Sequence, residues 1–383
     1  GWSACGAPDW PPGEDDAGVH DGGLWQGDAG DVDGGEADAG GGDDDAGLGA
    51  EDAGGAADAG DHDAGPGDAG HDDDAGTEDA GSGVDAGSDD AGPGDAGGPD
   101  GGDEEDGGVV RLRLMAANLT AGNFQNYNPP PGDVLPGPGI RIMQGARPDV
   151  VMVQEFRFGA DDAEALQTMT DLVVGDGGYF CREQVDSNGD LPNGVMSRYP
   201  ILECGEWDDS RVSNRDHLWA RIDLPGPRDL WVISVHWHTT VSSHPFEAQE
   251  VIDGVNALVP AGDYVVLGGD LNTGSAMESC FMTLSQRFVV QPQPTDQQGN
   301  PDTNAGRDKP YDWVLPGASL FPHEVPVVLS HEGQTLSRPN GLVIDTRRFN
   351  SGNIGLLAPA KLGDSAAPSM QHMGVIRDFE LSY

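Results

Sequence analysis

Lysine and arginine are absent from the first 108 positions of this 383-residue chain, although the same stretch holds 33 of its 67 acidic residues. The rest has 34 acidic and 19 basic residues, and so carries −15 of the total net charge of −48. Lysine occurs only as Lys309 and Lys361. This balance argues against non-specific attraction to nucleic acid or anionic lipid. It does not exclude an enzyme of phosphates, because bound metal ions supply local positive charge.

Cysteine is scarce, and long hydrophobic runs are missing. The four cysteines are Cys5, Cys181, Cys204 and Cys280, with no C-x-x-C pair and no Cys/His spacing typical of zinc. Cys181 and Cys204 lie in two strand-like segments, so a disulfide and a pair of buried thiols both remain open. A membrane-spanning helix needs about 18 or more consecutive apolar residues, and no such run occurs.

The first 108 residues consist largely of Gly, Asp, Ala, Glu and Pro, and Asp-Ala-Gly recurs irregularly, as at residues 28–30 and 58–60. A segment with so little apolar surface and so much like charge is predicted to be a disordered acidic tether. Calcium-binding β-roll repeats would require a fixed period with an apolar residue in each unit. Neither is present, so the tether is favoured.

The beginning of the chain suggests export. It starts at Gly1 rather than Met, as after removal of a leader, and Cys5 follows Ser3 and Ala4 as in a bacterial lipoprotein signal. Trp2 stands where such a signal has Leu. We therefore expect a secreted, periplasmic or cell-surface protein, with Cys5 as the candidate lipid anchor.

Residues 109–383 are predicted to form one domain, large enough for a well-buried core. Alternating or continuous apolar segments predict strands, among them Val110–Ala117, Pro148–Glu155, Tyr264–Gly268 and His323–Val328. Helices are predicted at 140–146, 161–174 and 246–258. Many strands with few helices fit two packed sheets with helices outside better than a βαβ repeat. We expect a monomer.

Polar side chains recur where these apolar strands begin or end. They are Asn118, Glu155, His236, Asp270, Asn272, Asp312 and His372. Any one of them alone is more often a turn or cap residue than a functional group. As an ordered set they predict one polar site at a sheet edge. Carboxylate and amide oxygens suit Mg²⁺, Mn²⁺ or Ca²⁺, and histidines suit proton transfer, so metal-assisted hydrolysis of phosphate esters is indicated.

Seven segments, in order, resemble the endonuclease/exonuclease/phosphatase superfamily, which includes DNase I, exonuclease III-type repair nucleases, neutral sphingomyelinases and inositol polyphosphate phosphatases. They are Met115–Asn118, Pro148–Glu155, Asn193–Ile201, Ser234–His238, Gly268–Asn272, Lys309–Trp313 and Gln371–Val375. The resemblance covers essentially all of residues 109–383. It implies a four-layer α/β sandwich of two mixed sheets flanked by helices.

The resemblance also implies roles. Glu155 would hold a catalytic Mg²⁺ or Mn²⁺, with Ca²⁺ as an alternative, helped by Asn118 and Gln371. Asp270 would orient and help deprotonate the attacking water.

Four further residues would act on the substrate or support the site. Asn272 would contact the phosphate, and His236 would bind a phosphate oxygen or assist the leaving group. His372 would be the second catalytic histidine, oriented by Asp312.

The last segment departs from the family pattern. Gln371 stands where most members have Asp, and Gly374 stands where they usually have Pro. An amide oxygen offers no charge to a cation, so we expect weaker metal binding. The first functional interpretation is a secreted phosphodiesterase acting on nucleic acid. The alternatives are a sphingomyelinase-type phospholipid hydrolase or phosphatase, and a catalytically silent surface binding protein.

Overall fold

A computed structural model describes residues 108–120, 126–129, 136–187 and 189–383. The chain divides into two units, Gly1–Gly94 and Asp95–Tyr383. The described residues all fall in the second. The predicted tether (Gly108 apart) and Cys5 therefore lie outside them. Within the described residues, no helix is both long enough and apolar enough to cross a membrane.

The described residues form fourteen strands and four α-helices. The strands are β1 (Val109–Ala117), β2 (Val150–Val153), β3 (Tyr179–Arg182), β4 (Gly194–Ser197), β5 (Ile201–Trp207), β6 (His217–Ile222), β7 (Leu230–His236), β8 (Tyr264–Asp270), β9 (Asp312–Pro316), β10 (Glu324–Val325), β11 (Val327–His331), β12 (Gln334–Arg338), β13 (Leu342–Ile344) and β14 (Gly374–Ser382). The helices are α1 (Pro138–Ala146), α2 (Ala163–Val174), α3 (His244–Leu258) and α4 (Cys280–Leu284), with short 3₁₀ turns between β9 and β14.

Two mixed sheets contain most of these strands. The first sheet has the order β10-β14-β1-β2-β4-β3, and β13 also pairs with β14. The second has the order β5-β6-β7-β8-β9. Within each sheet one central pair is parallel, β1 with β2 and β7 with β8. The remaining pairs are antiparallel.

Side-chain alternation along the strands creates three apolar layers. On β1, Leu112 and Leu114 pack between the two sheets, whereas Met115 and Ala117 face α1 and α2. Ile233 and its neighbours on the second sheet pack against α3 and α4. The order is thus helices, sheet, sheet, helices. The predicted four-layer α/β sandwich is confirmed.

A disulfide joins the two sheets at one edge. Cys181 in β3 and Cys204 in β5 are bonded, with an S–S distance of 2.04 Å. Cys280 is a free, buried cysteine in α4. The pairing that the sequence left open is therefore a disulfide in this structure.

Some strand predictions were wrong in detail. The predicted strand His323–Val328 is instead a 3₁₀ turn followed by β10 and β11, because Pro326 has no N–H to continue a ladder. The short strands β12 and β13 were not predicted, since β12 is largely polar and exposed. β2 ends at Val153, so Glu155 lies beyond the strand.

Candidate active site

Six strand ends converge at one edge of the two packed sheets. Asn118 follows β1 and Glu155 follows β2, whereas His236 and Asp270 are the last residues of β7 and β8. β9 begins with Asp312, and His372 lies two residues before β14. Parallel strands bring their carboxyl ends to the same edge, and the antiparallel β9 and β14 begin at that edge. The polar residues predicted from the sequence are therefore brought together.

Asp270 lies at the centre of this group and is 1% exposed. Its Oδ2 accepts a hydrogen bond from Asn118 Nδ2 at 3.1 Å. The same oxygen lies 3.3 Å from His236 Nε2 and 3.5 Å from His372 Nε2. Its Oδ1 accepts from the backbone N–H of Asn272 at 2.9 Å. Four polar groups from different segments thus hold this carboxylate in one orientation.

Backbone geometry explains why particular residue types stand beside it. Gly269 has a φ of +136°, and a β-carbon there would lie 2.1 Å from the Val235 carbonyl oxygen. Only glycine fits without displacement of β7. Glu155 and Asn272 also have positive φ, of 53° and 49°. Asn tolerates this region, whereas Glu adopts it at a cost of about 1 kcal/mol or more, a cost often found at functional positions.

The His372 imidazole is paired with a buried carboxylate. Nδ1 lies 3.0 Å from Asp312 Oδ2, and the Asp312 backbone N–H donates to Thr303 Oγ1 at 2.7 Å. Burial lowers the pKa of His372, but the carboxylates of Asp312 and Asp270 outweigh burial and raise it to about 9. His372 is therefore a cation at neutral pH, with Nδ1–H donated to Asp312 and Nε2–H directed towards Asp270.

The other histidine has the opposite electrostatic environment. Burial, together with the positive charges of Arg215 and His372, holds the pKa of His236 well below its usual range. Arg215 is placed by the chain itself: its guanidinium donates to the backbone carbonyls of His236 and Trp237, the latter at 3.1 Å. The site thus holds one neutral and one charged imidazole, on either side of Asp270.

These side chains line a cleft of about 720 Å³, formed by Asn118, Glu155, Leu191, Arg215, His236, Thr239, Asp270, Asn272, Asn304, Ala305, Gly306, Tyr311, Gln371 and His372. Arg215 also lines the cleft, although it does not follow an apolar strand. Its observed partners are backbone carbonyls and the Asn214 side chain. Asn304 and Tyr311 were not singled out from the sequence: Asn304 lies in a loop, and Tyr311 directly precedes β9 within the Lys309–Trp313 segment.

The donor set fits a hard divalent cation. Asn118 Oδ1 is buried and has no hydrogen-bond partner among the residues that the structure describes. Such an atom is costly unless a ligand satisfies it. Glu155, 6% exposed, supplies a carboxylate to the same cleft. Gln371 also lines the cleft, with an exposed side chain, and its backbone carbonyl accepts from Ala305 N–H at 2.7 Å.

Other polar segments have structural partners. Asp190 accepts hydrogen bonds from the backbone N–H groups of Asp186 and Ser187. These bonds form a polar turn. Arg198 pairs with Asp149 at 2.9 Å. His238 Nδ1 accepts from Thr240 N–H at 2.9 Å.

The sequence model of the Endonuclease/Exonuclease/phosphatase family matches residues 140–335. The chain belongs to this family, whose members generally hydrolyse phosphate esters and typically use divalent metal ions. The matched region includes Glu155, His236, Asp270, Asn272 and Asp312. A search of curated proteins found no match.

Several solved structures are similar to this chain. An endonuclease/exonuclease/phosphatase from Beutenbergia cavernae is 19% identical, covers 71% of this chain and 72% of its own, and has a TM-score of 0.46. One from Bacteroides vulgatus is 14% identical over 71% of this chain and 99% of its own, with a TM-score of 0.47. The beta toxin from Staphylococcus aureus is 14% identical over 70% and 99%, with a TM-score of 0.43.

Proposed function

We propose that this protein is a divalent-metal-dependent phosphodiesterase with nucleic acid as its first candidate substrate. The observation that carries the proposal is the Asp270 carboxylate, with Asn118, His236 and His372 all within 3.5 Å of one of its oxygens. This arrangement lies in the cleft that also contains Glu155 and Asn272. It supplies a proton acceptor, two imidazoles and a hard-ligand set together, as phosphate-ester hydrolysis requires.

Each side chain has a role that its contacts support. Asp270 is held by hydrogen bonds from the Asn118 side chain and the Asn272 N–H, so it orients a water molecule and accepts its proton as that water attacks phosphorus. His372, kept protonated by Asp312, has its Nε2–H 3.5 Å from Asp270, and a phosphate oxygen bound beside Asp270 would accept this N–H. The neutral His236 supplies a second N–H for the phosphate or for the leaving group.

The remaining polar groups hold the substrate. Asn272 Nδ2 donates to the Trp237 carbonyl at 2.9 Å, which fixes the amide at the cleft wall. Arg215 adds a permanent positive charge to a site otherwise rich in carboxylates. Glu155 and Asn118, with Gln371 at the rim, would hold Mg²⁺ or Mn²⁺, with Ca²⁺ as an alternative. A bound ion offsets the negative charge that builds on the phosphoryl oxygens.

The substrate panel should separate the candidate activities. Plasmid DNA, RNA, sphingomyelin vesicles and an inositol phosphate would each be incubated with the full chain and Mg²⁺, Mn²⁺ or Ca²⁺, with EDTA as the blank. Asp270→Ala is the control variant. We expect metal-dependent cleavage of DNA or RNA that Asp270→Ala abolishes. Cleavage of sphingomyelin alone would favour the phospholipase alternative.

The silent alternative has its own test. If the site binds Mg²⁺ equally weakly in wild type and in Glu155→Ala, and no substrate is cleaved, the protein is a binding protein and the proposed function is wrong.

We also propose that the protein is exported. The disulfide between Cys181 and Cys204 supports this proposal, because such bonds persist mainly in oxidising compartments. Fractionation of the producing cells, with mass analysis of Cys5 for a lipid, tests both the location and the anchor. Recovery of the protein from the cytoplasm with both thiols reduced would contradict it.

A further inference from the structure

A second cluster of ionisable side chains lies between the second sheet and helix α3. None of its members lines the cleft. Asp209 lies in the loop between β5 and β6, and His217 is the first residue of β6. Glu247 and Glu250 project from the first turns of α3, three residues apart. One ligand atom each from Asp209, His217 and Glu250 lies within 4.8 Å of the others. These four residues are called the lateral cluster below.

The His217 ring is fully buried without a hydrogen-bond partner. It is 0% exposed, and neither of its nitrogens is hydrogen-bonded within the part of the chain that the structure describes. Its Nε2 lies 3.6 Å from Glu250 Oε2, which is too long for a hydrogen bond. An unsatisfied buried imidazole is costly, so a ligand that bound it would stabilise the fold.

The carboxylates of the lateral cluster also lack hydrogen bonds. Asp209 Oδ2, Glu247 Oε2 and Glu250 Oε2 are buried and have no hydrogen-bond partner among the described residues. Their other oxygens are occupied: Glu247 Oε1 accepts from His238 N–H at 2.6 Å, and Glu250 Oε1 accepts from Ser210 Oγ at 2.5 Å. One free oxygen per carboxylate and one free imidazole thus lie in the same small volume.

Like charge makes the cluster unfavourable without a cation. Asp209, Glu247 and Glu250 place three buried, unsatisfied carboxylate oxygens around the His217 imidazole. A divalent ion would remove both the repulsion and the unsatisfied atoms. Asp209 also lines a separate acidic cavity of about 450 Å³, bounded by residues such as Glu183, Asp186 and Asp216, which gives an ion a route from solvent.

A comparable group elsewhere in the fold is satisfied by protein atoms. His244, Glu278 and Cys280 also lie within 4.8 Å of one another. There, however, His244 Nδ1 lies 2.6 Å from Glu278 Oε2, and Nε2 lies 2.8 Å from the His238 carbonyl. Both ring nitrogens therefore have partners, and this second group needs no ion.

We propose that Asp209, His217 and Glu250, with Glu247 beside them, bind a divalent first-row transition ion, for which Zn²⁺ is the best chemical match. One imidazole nitrogen with carboxylate oxygens suits Zn²⁺ better than Mg²⁺ or Ca²⁺, which prefer oxygen ligands alone. Two ligand atoms bound at about 2.1 Å to one tetrahedral ion lie roughly 3.4 Å apart. The observed 3.6 Å between His217 and Glu250 is close to that separation.

Such an ion would connect the β5–β6 loop to α3 and so support the cleft from outside. Arg215 lies two residues before His217 and reaches the cleft through its bonds to the His236 and Trp237 carbonyls. An ion bound to Asp209 and His217 would therefore restrict the movement of the loop segment that contains Arg215. The ion would be structural and separate from the one at Glu155.

The test is a zinc titration of the full chain after removal of metals with a chelator. Isothermal calorimetry gives the affinity and the number of sites, and the thermal midpoint gives the effect on stability. Wild type is expected to bind Zn²⁺ at this site and to melt at a higher temperature with it. Glu250→Gln should lose affinity at least tenfold and most of the thermal shift. His217→Gln is a second variant, for which the same loss is expected.

Two controls separate this site from others. Glu278→Gln alters the satisfied histidine–carboxylate pair and should keep the lateral-cluster affinity. Glu155→Gln removes the proposed catalytic ligand and should keep it too, whether or not the enzyme is active. The acidic N-terminal residues are the same in all variants, so any zinc that they bind contributes equally to every titration. Equal zinc affinity in wild type and Glu250→Gln, or loss of all tight binding in Glu155→Gln, would overturn the proposal.

Discussion

Asp270 combines two properties at one residue: it is almost fully buried, and three side chains and one backbone N–H are aimed at it. Asn has the same shape and cannot accept the proton of a water molecule. We therefore expect Asp270→Asn to lower kcat by about a thousandfold, within the range typical of general-base removal. Steady-state kinetics on the cleaved substrate measures this, and circular dichroism verifies the fold. Full activity in this variant would remove Asp270 from the mechanism.

The pairing of His372 with Asp312 predicts a pH dependence with two limbs. The imidazole must stay charged, and its pKa is about 9, so activity should fall as pH rises through that value. Burial raises the pKa of Asp312 to about 6, so the carboxylate partner is lost as pH falls below that value. Both limbs should appear in the pH profile of kcat/KM.

Asp312→Asn tests the assignment of those limbs. Without the carboxylate, burial dominates, and the pKa of His372 drops, so the basic limb should move to lower pH. The charged form of His372 also stabilises the fold, and this stabilisation likewise decreases at high pH. A folded pKa of about 9 against an ordinary 6.5 gives stabilisation that is complete below about 6.5 and lost as pH rises through 9. A basic limb unmoved in the variant would show that another group titrates there.

Gln371 is exposed at the cleft while its backbone is held by Ala305. Substitution therefore changes the side chain without moving the chain. Gln371→Asp should tighten Mg²⁺ binding by roughly tenfold, because a carboxylate adds about 1.4 kcal/mol or more of attraction over an amide. Titration of activity against Mg²⁺ concentration measures this. If the midpoint does not change, Gln371 is not a ligand.

At the scale of elements, one covalent bond connects edge strands of different sheets. Cys181 and Cys204 are 23 residues apart. A disulfide that closes a loop of that length lowers the entropy of the unfolded chain and so stabilises the fold by about 3 kcal/mol. Cys204→Ser in both oxidised and reduced buffer should lower the free energy of unfolding by that amount relative to oxidised wild type. Reduced wild type should match the variant. Equal stability of all four samples would contradict the expectation.

Much of the site could be predicted because its residues stand at the ends of strongly apolar strands. β7 and β8 are buried throughout and mostly apolar before their last residues, so the change to His236 and to Asp270 is visible in the sequence. Arg215, Asn304 and Tyr311 come from loops, where no periodicity marks a direction. β12 was missed for a related reason: its polar residues pair only with β11 in an exposed hairpin.

For the whole molecule, charge is distributed very unevenly. The first 108 residues carry 33 negative charges and no Lys or Arg. If the substrate is nucleic acid, they should repel it, so removal of residues 1–108 should raise kcat/KM several-fold at low salt. The difference should vanish near 1 M salt, where the Debye length is about 3 Å. A zwitterionic lipid substrate should show no such change, and salt-independent kinetics on DNA would refute the repulsion.

His236, Asp270 and Asp312 occupy one row across β7, β8 and β9, because the register pairs each with the next. Side chains on a strand alternate between faces, so deleting a single residue within any of these strands would turn its member of the row away. The connecting loops carry no such restriction. The three strands that carry this row should therefore tolerate almost no insertion or deletion during evolution. The loops around the cleft can change in length, and such changes could adapt the site to new phosphate esters.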